Sequence, residues 1–204
     1  MYHRLNRVLP LALIFALWPV PMRSAEEASG QMLGGSVNSP IRIEVFSDFQ
    51  CPHCRDFYLG TIRPVLEEYS SKDKVCVIYH EFPLSGHQYS REAARYSEAA
   101  ARLGQQKLLP VIEALFTSQA DWSKDGSLEA TVAKALPNED FLKLKKVMQD
   151  SSVNAEIDRE IQLATQKNIQ STPTLLISYI GKQQRVEGGI PYEAMKAFID
   201  SIVK

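Results

Sequence analysis

Two cysteines two residues apart, in Cys51-Pro52-His53-Cys54, constrain this chain more than any other feature. Such a pair can close a small disulfide ring or hold a metal, and its context separates the two. The preceding residues, Ile41 to Phe46, are apolar and β-branched enough for a buried strand. After the pair, Phe57, Ile62, Val65, Leu66 and Tyr69 recur at helical spacing. Cys51 therefore falls where a strand ends and a helix begins. A helix N-terminus offers unpaired N–H groups and the positive end of a dipole, and both favour a thiolate. Pro52 suits the first helical turn, where a missing donor costs nothing. In such settings a cysteine pKa falls to about 3.5–7.5, and the thiolate is the nucleophile of thiol–disulfide exchange. Cys51, nearer the helix end, is the expected nucleophile, and Cys54, one turn in, the resolving thiol. His53, as a donor or a cation, is expected to stabilise the thiolate further, making the disulfide a stronger oxidant.

The N-terminus reads as an export signal. Arg4 and Arg7 precede an apolar run from Val8 to Val20, of signal-peptide length and too short for a membrane span. Residues 1–25 are assigned to this signal, with cleavage near Ala25 or Ala28 or retention as an anchor. They hold three of the 23 basic residues and none of the 24 acids, which leaves a net charge of −4 on the rest. That balance argues against nucleic acid as a partner. Export places the cysteines in an oxidising compartment. There are only three, so the chain is no disulfide-stapled scaffold. Cys51 and Cys54 are a working pair, and Cys76, within the strand-like Val75–Tyr79, is expected to be a buried packing residue.

In chain order, the Gly-, Ser- and Ala-rich residues 26–38 are expected to form a flexible lead-in. Strand 41–46 follows, then a helix to Tyr69 kinked by Pro64, and a strand from Val75 to Phe82. Strand, helix and strand make a parallel βαβ unit with a right-handed crossover. Residues 90–168 read as a block of helices, with Trp122 in a loop ending at Gly126. The chain returns to strand at Thr174 to Tyr179, turns at Ile180-Gly181-Lys182, pairs back through Arg185 to Glu187, and closes as an amphipathic helix from Pro191 to Val203. The fold class is α/β, with βαβ and ββα halves forming residues 39–89 and 169–204 around the helical insertion 90–168.

Several stretches together resemble the exported DsbA-like thiol oxidoreductases. Phe46-Ser47-Asp48-Phe49-Gln50-Cys51-Pro52-His53-Cys54 is similar to their active-site segment, and Ile169-Gln170-Ser171-Thr172-Pro173-Thr174 to their cis-proline segment. Glu81-Phe82-Pro83-Leu84 with His87, and Val186 to Pro191, fit the same family. The resemblance covers about residues 38 to 204. It implies a thioredoxin fold interrupted by a helical domain. Pro173 would be cis and face the cysteines, and Thr172 before it would tune redox potential and substrate release. A buried acid serving Cys54 is implied too, with Glu44 the first choice and Asp48 the second.

The implied function is oxidation of dithiols in reduced or unfolded exported proteins, in the periplasm or cell envelope. A monomer would use the Cys51–Cys54 disulfide with no other cofactor, and a membrane redox partner would recharge it. A reductase or isomerase using the same pair is the alternative. A metal- or thiol-binding module, drawing on Cys51, Cys54, His80 and His87, is the reading from another class.

Overall fold

The computed structural model describes residues 30–203, so the signal-peptide assignment lies outside the described residues. Strand β2, Ile41–Ser47, is central. It pairs in parallel with β3, Val75–Glu81, and antiparallel with β4, Thr174–Tyr179. Strand β5, Lys182–Glu187, pairs antiparallel with β4 beyond it. Strand β1, Gln31–Gly34, pairs antiparallel with β3 and completes the sheet in the order β1-β3-β2-β4-β5. β1 corrects the expectation of a flexible lead-in. Its composition reads as linker, yet Gln31 and Leu33 alternate inward, and glycines with positive φ, Gly30 and Gly35, bracket it. At Gly35 a Cβ would meet the Val75 carbonyl oxygen at 2.0 Å, so only glycine lets the chain pass there.

Between β2 and β3 the helix comes in three parts: α1, Pro52–Phe57, a π-helical turn at Tyr58–Ile62, and α2, Arg63–Glu68. The irregularity expected from Pro64 appears as this widened turn just before the proline, which supplies no N–H to the helix ladder. Between β3 and β4 run α3 (Ser90–Arg102), α4 (Gln105–Thr117), α5 (Gln119–Asp125), α6 (Leu128–Ala135), α7 (Asn138–Val147) and α8 (Ser151–Gln166). Trp122 lies within α5 and not in a loop. Its ring is fully buried and its Nε1 donates to the Leu115 carbonyl over 2.7 Å. The last helix is α9, Tyr192–Ile202.

Strand alternation sorts the two faces of the sheet. Ile43, Val45, Val77, Tyr79, Leu175 and Ile177 share one apolar cluster with Cys51, Cys54 and Phe57. Phe46 and Leu176 form a second cluster with Leu163 and Ala164 of α8 on the other face. This is a thioredoxin fold with an inserted helical domain.

Candidate active site

Cys51 occupies the N-cap of α1 in extended conformation, with Pro52 at the first helical position. The preceding strand delivers it through a tight loop closed by the Asp48 side chain. One carboxylate oxygen accepts from the Gln50 N–H (2.7 Å) and the Ser90 hydroxyl (2.5 Å). The other accepts from the Leu84 N–H and faces His87 Nδ1, both at 2.8 Å. Asp48, 1% exposed, thus ties the active-site loop to the chain after β3. From α5, Gln119 Nε2 donates to the carbonyls of Phe49 (2.6 Å) and Cys51 (2.9 Å). No motif marks Gln119 in the sequence. Its role exists only once α5 has folded against the loop.

Cys51 and Cys54 are free thiols here, both buried, and their environments pull them apart. The Cys54 thiol bonds to Cys51 and brings the Cys51 pKa down to about 5, against the opposing effect of burial, with help from Thr172 and the backbone N–H groups of Cys54 and His53. Those N–H groups lie close to Sγ, although neither completes a capping bond of ordinary geometry. Burial pushes Cys54 far above the usual thiol range, and its bond to Cys51 adds to this. One sulfur is ready to ionise and the other holds its proton.

The Thr172–Pro173 peptide is cis, and Cys51 Sγ lies 3.6 Å from the Thr172 carbonyl oxygen. The Thr172 hydroxyl is buried without a bond of ordinary geometry and neighbours Cys51, so it can donate to the thiolate. Pro173 O accepts from the Gly188 N–H (2.8 Å), which fixes the loop to the end of β5. His53, Phe57, Thr172, Pro173, Gly189 and Ile190 line a groove of about 510 Å³ beside the pair. The His53 side chain is exposed on its rim. Its visible effect on Cys51 comes from its backbone, which any residue there would supply.

The sequence-selected residues Cys51, Pro52, His53, Cys54, Thr172 and Pro173 converge here, but Glu44 does not. Glu44 faces the opposite side of β2, beside His80 (3.4 Å) and Arg42 (3.3 Å). The residue turned towards the cysteines at that level is Val45, and Ser47 is the strand side chain that bonds to Cys54. Glu44 and Val45 are neighbours in a strand and so take opposite faces, and only Val45 is on the face of the cysteines. Asp48 contributes its backbone to Cys54 and uses its carboxylate to hold loops. Nor do the histidines gather at the pair. His80 Nδ1 contacts Glu160 at 2.6 Å and His87 contacts Asp48. Among the described residues, no group of three or more His, Cys, Asp or Glu side chains is placed to hold a metal.

A redox-type cysteine pair at the N-terminus of the first βαβ helix, facing a cis-proline loop, defines the thioredoxin superfamily in its form with a helical insertion. The chain belongs to the thioredoxin family, whose model matches residues 27–201. The Probable disulfide bond formation protein D of Bacillus cereus is 23% identical over 180 residues, 86% of this chain and 80% of that protein. The Disulfide bond formation protein D of Bacillus subtilis is 22% identical over 182 residues, 86% and 78% of the two chains. The crystal structure of Wolbachia pipientis alpha-DsbA1 superposes with a TM-score of 0.71 at 22% identity, covering 92% of this chain and 94% of that one. Oxidised BdbD of Bacillus subtilis gives 0.68 at 22% identity, covering 86% and 97%. The protein is a DsbA-like member of the superfamily.

Proposed function

We propose that this DsbA-like protein is a thiol–disulfide oxidoreductase that works as an exported oxidant, introducing disulfides into secreted or envelope proteins through its Cys-Pro-His-Cys motif. The observation that carries this reading is the divergence of the two thiols. A Cys51 pKa near 5 stabilises the reduced, thiolate form, and a stabilised reduced form makes the disulfide oxidising. The names of the Bacillus relatives, disulfide bond formation protein D, support the same direction.

A substrate thiolate attacks Cys51 Sγ of the Cys51–Cys54 disulfide. The bond between the two cysteines breaks, and its electron pair leaves on Cys54, which takes a proton. The substrate's second thiolate then attacks the substrate sulfur of the mixed disulfide and expels Cys51 as a thiolate. Cys51 is the better leaving group because its thiolate is the stabilised one. The groove beside Pro173 receives the extended substrate chain, with the exposed backbone of the cis-proline loop as its pairing edge. The protein, acting as a monomer, leaves reduced, and a membrane redox partner in the cell envelope restores the disulfide.

Thiol trapping tests this directly. Cys51→Ser is expected to abolish exchange with a reduced, unfolded substrate protein. Cys54→Ser is expected to accumulate a mixed disulfide at Cys51. Undiminished turnover by Cys51→Ser would overturn the assignment.

A further inference from the structure

The sheet ends on two unlike edges. At one, β1 is four residues long, and its register with β3 shifts between Met32 and Gly34. Gln105 of α4 also covers it, donating to the Leu33 carbonyl at 2.7 Å. Short strands, bulges and cover of this kind keep an edge from pairing with other chains. At the other edge, β5 is six residues long and pairs with β4 in unbroken register. Among the described residues no strand lies beyond it, and every residue of β5 except Val186 is exposed. Arg185, a charge that could shield this edge, instead lays its guanidinium on the carbonyls of Lys167 and Asn168 after α8.

The ladder identifies the free backbone groups. The Gly188 N–H points inward, to the Pro173 carbonyl. Residues of an antiparallel strand alternate between bonding their partner and facing away from it. Lys182, Gln184 and Val186 therefore bond to β4, while Gln183, Arg185 and Glu187 turn their N–H and C=O groups outward. One end of this row meets the substrate groove, whose wall includes Gly188, Gly189 and Ile190. The other ends at the hairpin tip on Ile180, which is 72% exposed and held at a φ of 46°. That conformation is costly for a β-branched residue, and Gly or Asn is the ordinary choice in such a turn. An exposed isoleucine kept there against its preference points to a contact at the tip.

We propose that the free edge of β5 is a second contact for the substrate chain. An extended stretch of unfolded polypeptide, flanking the cysteine held in the groove, adds as a sixth strand beside β5 and rests an apolar side chain on Ile180. Continuity with the groove names the occupant: a chain leaving the groove past Gly188 is already extended and already beside the unpaired strand. Pairing through backbone groups gives affinity without demanding a sequence, which suits an oxidant that meets many unfolded proteins. This inference rests on the oxidoreductase reading and extends its substrate contact by the length of β5.

The test is stopped-flow reduction of the oxidised protein by two dithiol peptides. One is a bare Cys-x-x-Cys peptide, and the other carries the same dithiol with flanks of Thr, Val and Lys longer than β5 at both ends. Each added hydrogen bond is worth about fivefold, and after the ordering of the flank the long peptide is expected to react about tenfold or more faster. Methylating the backbone nitrogens of the flanks is expected to abolish that gain, with the protein itself unaltered. Gln183→Pro removes an outward donor and leaves the β4 ladder intact, and is expected to cut the ratio of the two rates about fivefold. Ile180→Asn is expected to raise the melting temperature and still lower the ratio. Equal wild-type rates for the two peptides, or a gain that survives methylation or a folded Gln183→Pro, would overturn the β5 contact and leave the oxidoreductase reading intact. A wild-type disulfide that neither peptide reduces would overturn that reading, and the β5 contact with it.

Discussion

At the scale of the residue, the protein turns on two sulfurs of equal chemistry and opposite ionisation. Thiolate absorbance of the reduced protein is expected to titrate near pH 5 and to vanish from that range in Cys51→Ser. A first titration at the ordinary thiol value would contradict the arrangement. The same shift sets a stability difference between redox forms. A depressed folded pKa contributes stability that is complete above the unfolded value, near 9, and lost as pH falls through about 5. Only the reduced form has this ionisation, so its melting temperature is expected to fall relative to that of the oxidised form as pH is lowered from 9 to 5. Parallel curves for the two forms would contradict this. Thr172→Val removes the hydroxyl that faces Cys51, and the Cys51 titration is expected to move up in pH. An unmoved titration would exclude that hydroxyl as a donor.

At the scale of the element, buried polar contacts from α5 and α8 are among those that join the helical insertion to the redox half. Gln119 of α5 holds two carbonyls of the active-site loop. Gln119→Leu leaves those buried acceptors unpaired, at a cost of about 1–3 kcal/mol, measurable by urea unfolding. An unchanged midpoint would show that the loop holds itself. On the other face of the sheet, His80 of β3 is 1% exposed between Glu160 of α8 and Glu44 of β2, and its ring stacks on Phe46 at 4.3 Å. Burial pushes the His80 pKa down, but the bonds to Glu160 and Glu44 outweigh it, and the net direction is up. A raised folded pKa contributes stability that is fully present below the unfolded value, near 6.5, and lost as pH rises through the folded one. His80→Gln is therefore expected to destabilise the oxidised protein more at pH 6 than at pH 9. A loss independent of pH would mean that His80 is neutral in the fold. Neither contact is legible in the sequence, because each joins elements distant along the chain. The strand–Cys-x-x-Cys–helix junction is local, and so it is readable. Glu44 shows the limit of local reading. The strand is legible, but one residue of register decides which face a side chain takes.

At the scale of the whole molecule, a single apolar cluster runs from the sheet through the cysteine-bearing helix into the insertion, so the site sits on a rigid frame with its groove at the surface. The βαβ and ββα halves are legible from hydrophobic period and turn residues. Strand β1 is not, because a four-residue edge strand bounded by glycines has the composition of a linker. Gly35→Ala, which would drive a Cβ into the Val75 carbonyl, is expected to detach this strand and lower the melting temperature markedly. A wild-type melting temperature would show that β1 contributes little. The most direct test of the central claim, that this fold poises Cys51–Cys54 as an oxidant, is the redox equilibrium of the purified domain against glutathione, read by thiol trapping. A reversible Cys51–Cys54 disulfide more oxidising than the glutathione pool is the expected result. A disulfide strongly reducing against that pool, or a folded protein that forms none, would contradict it.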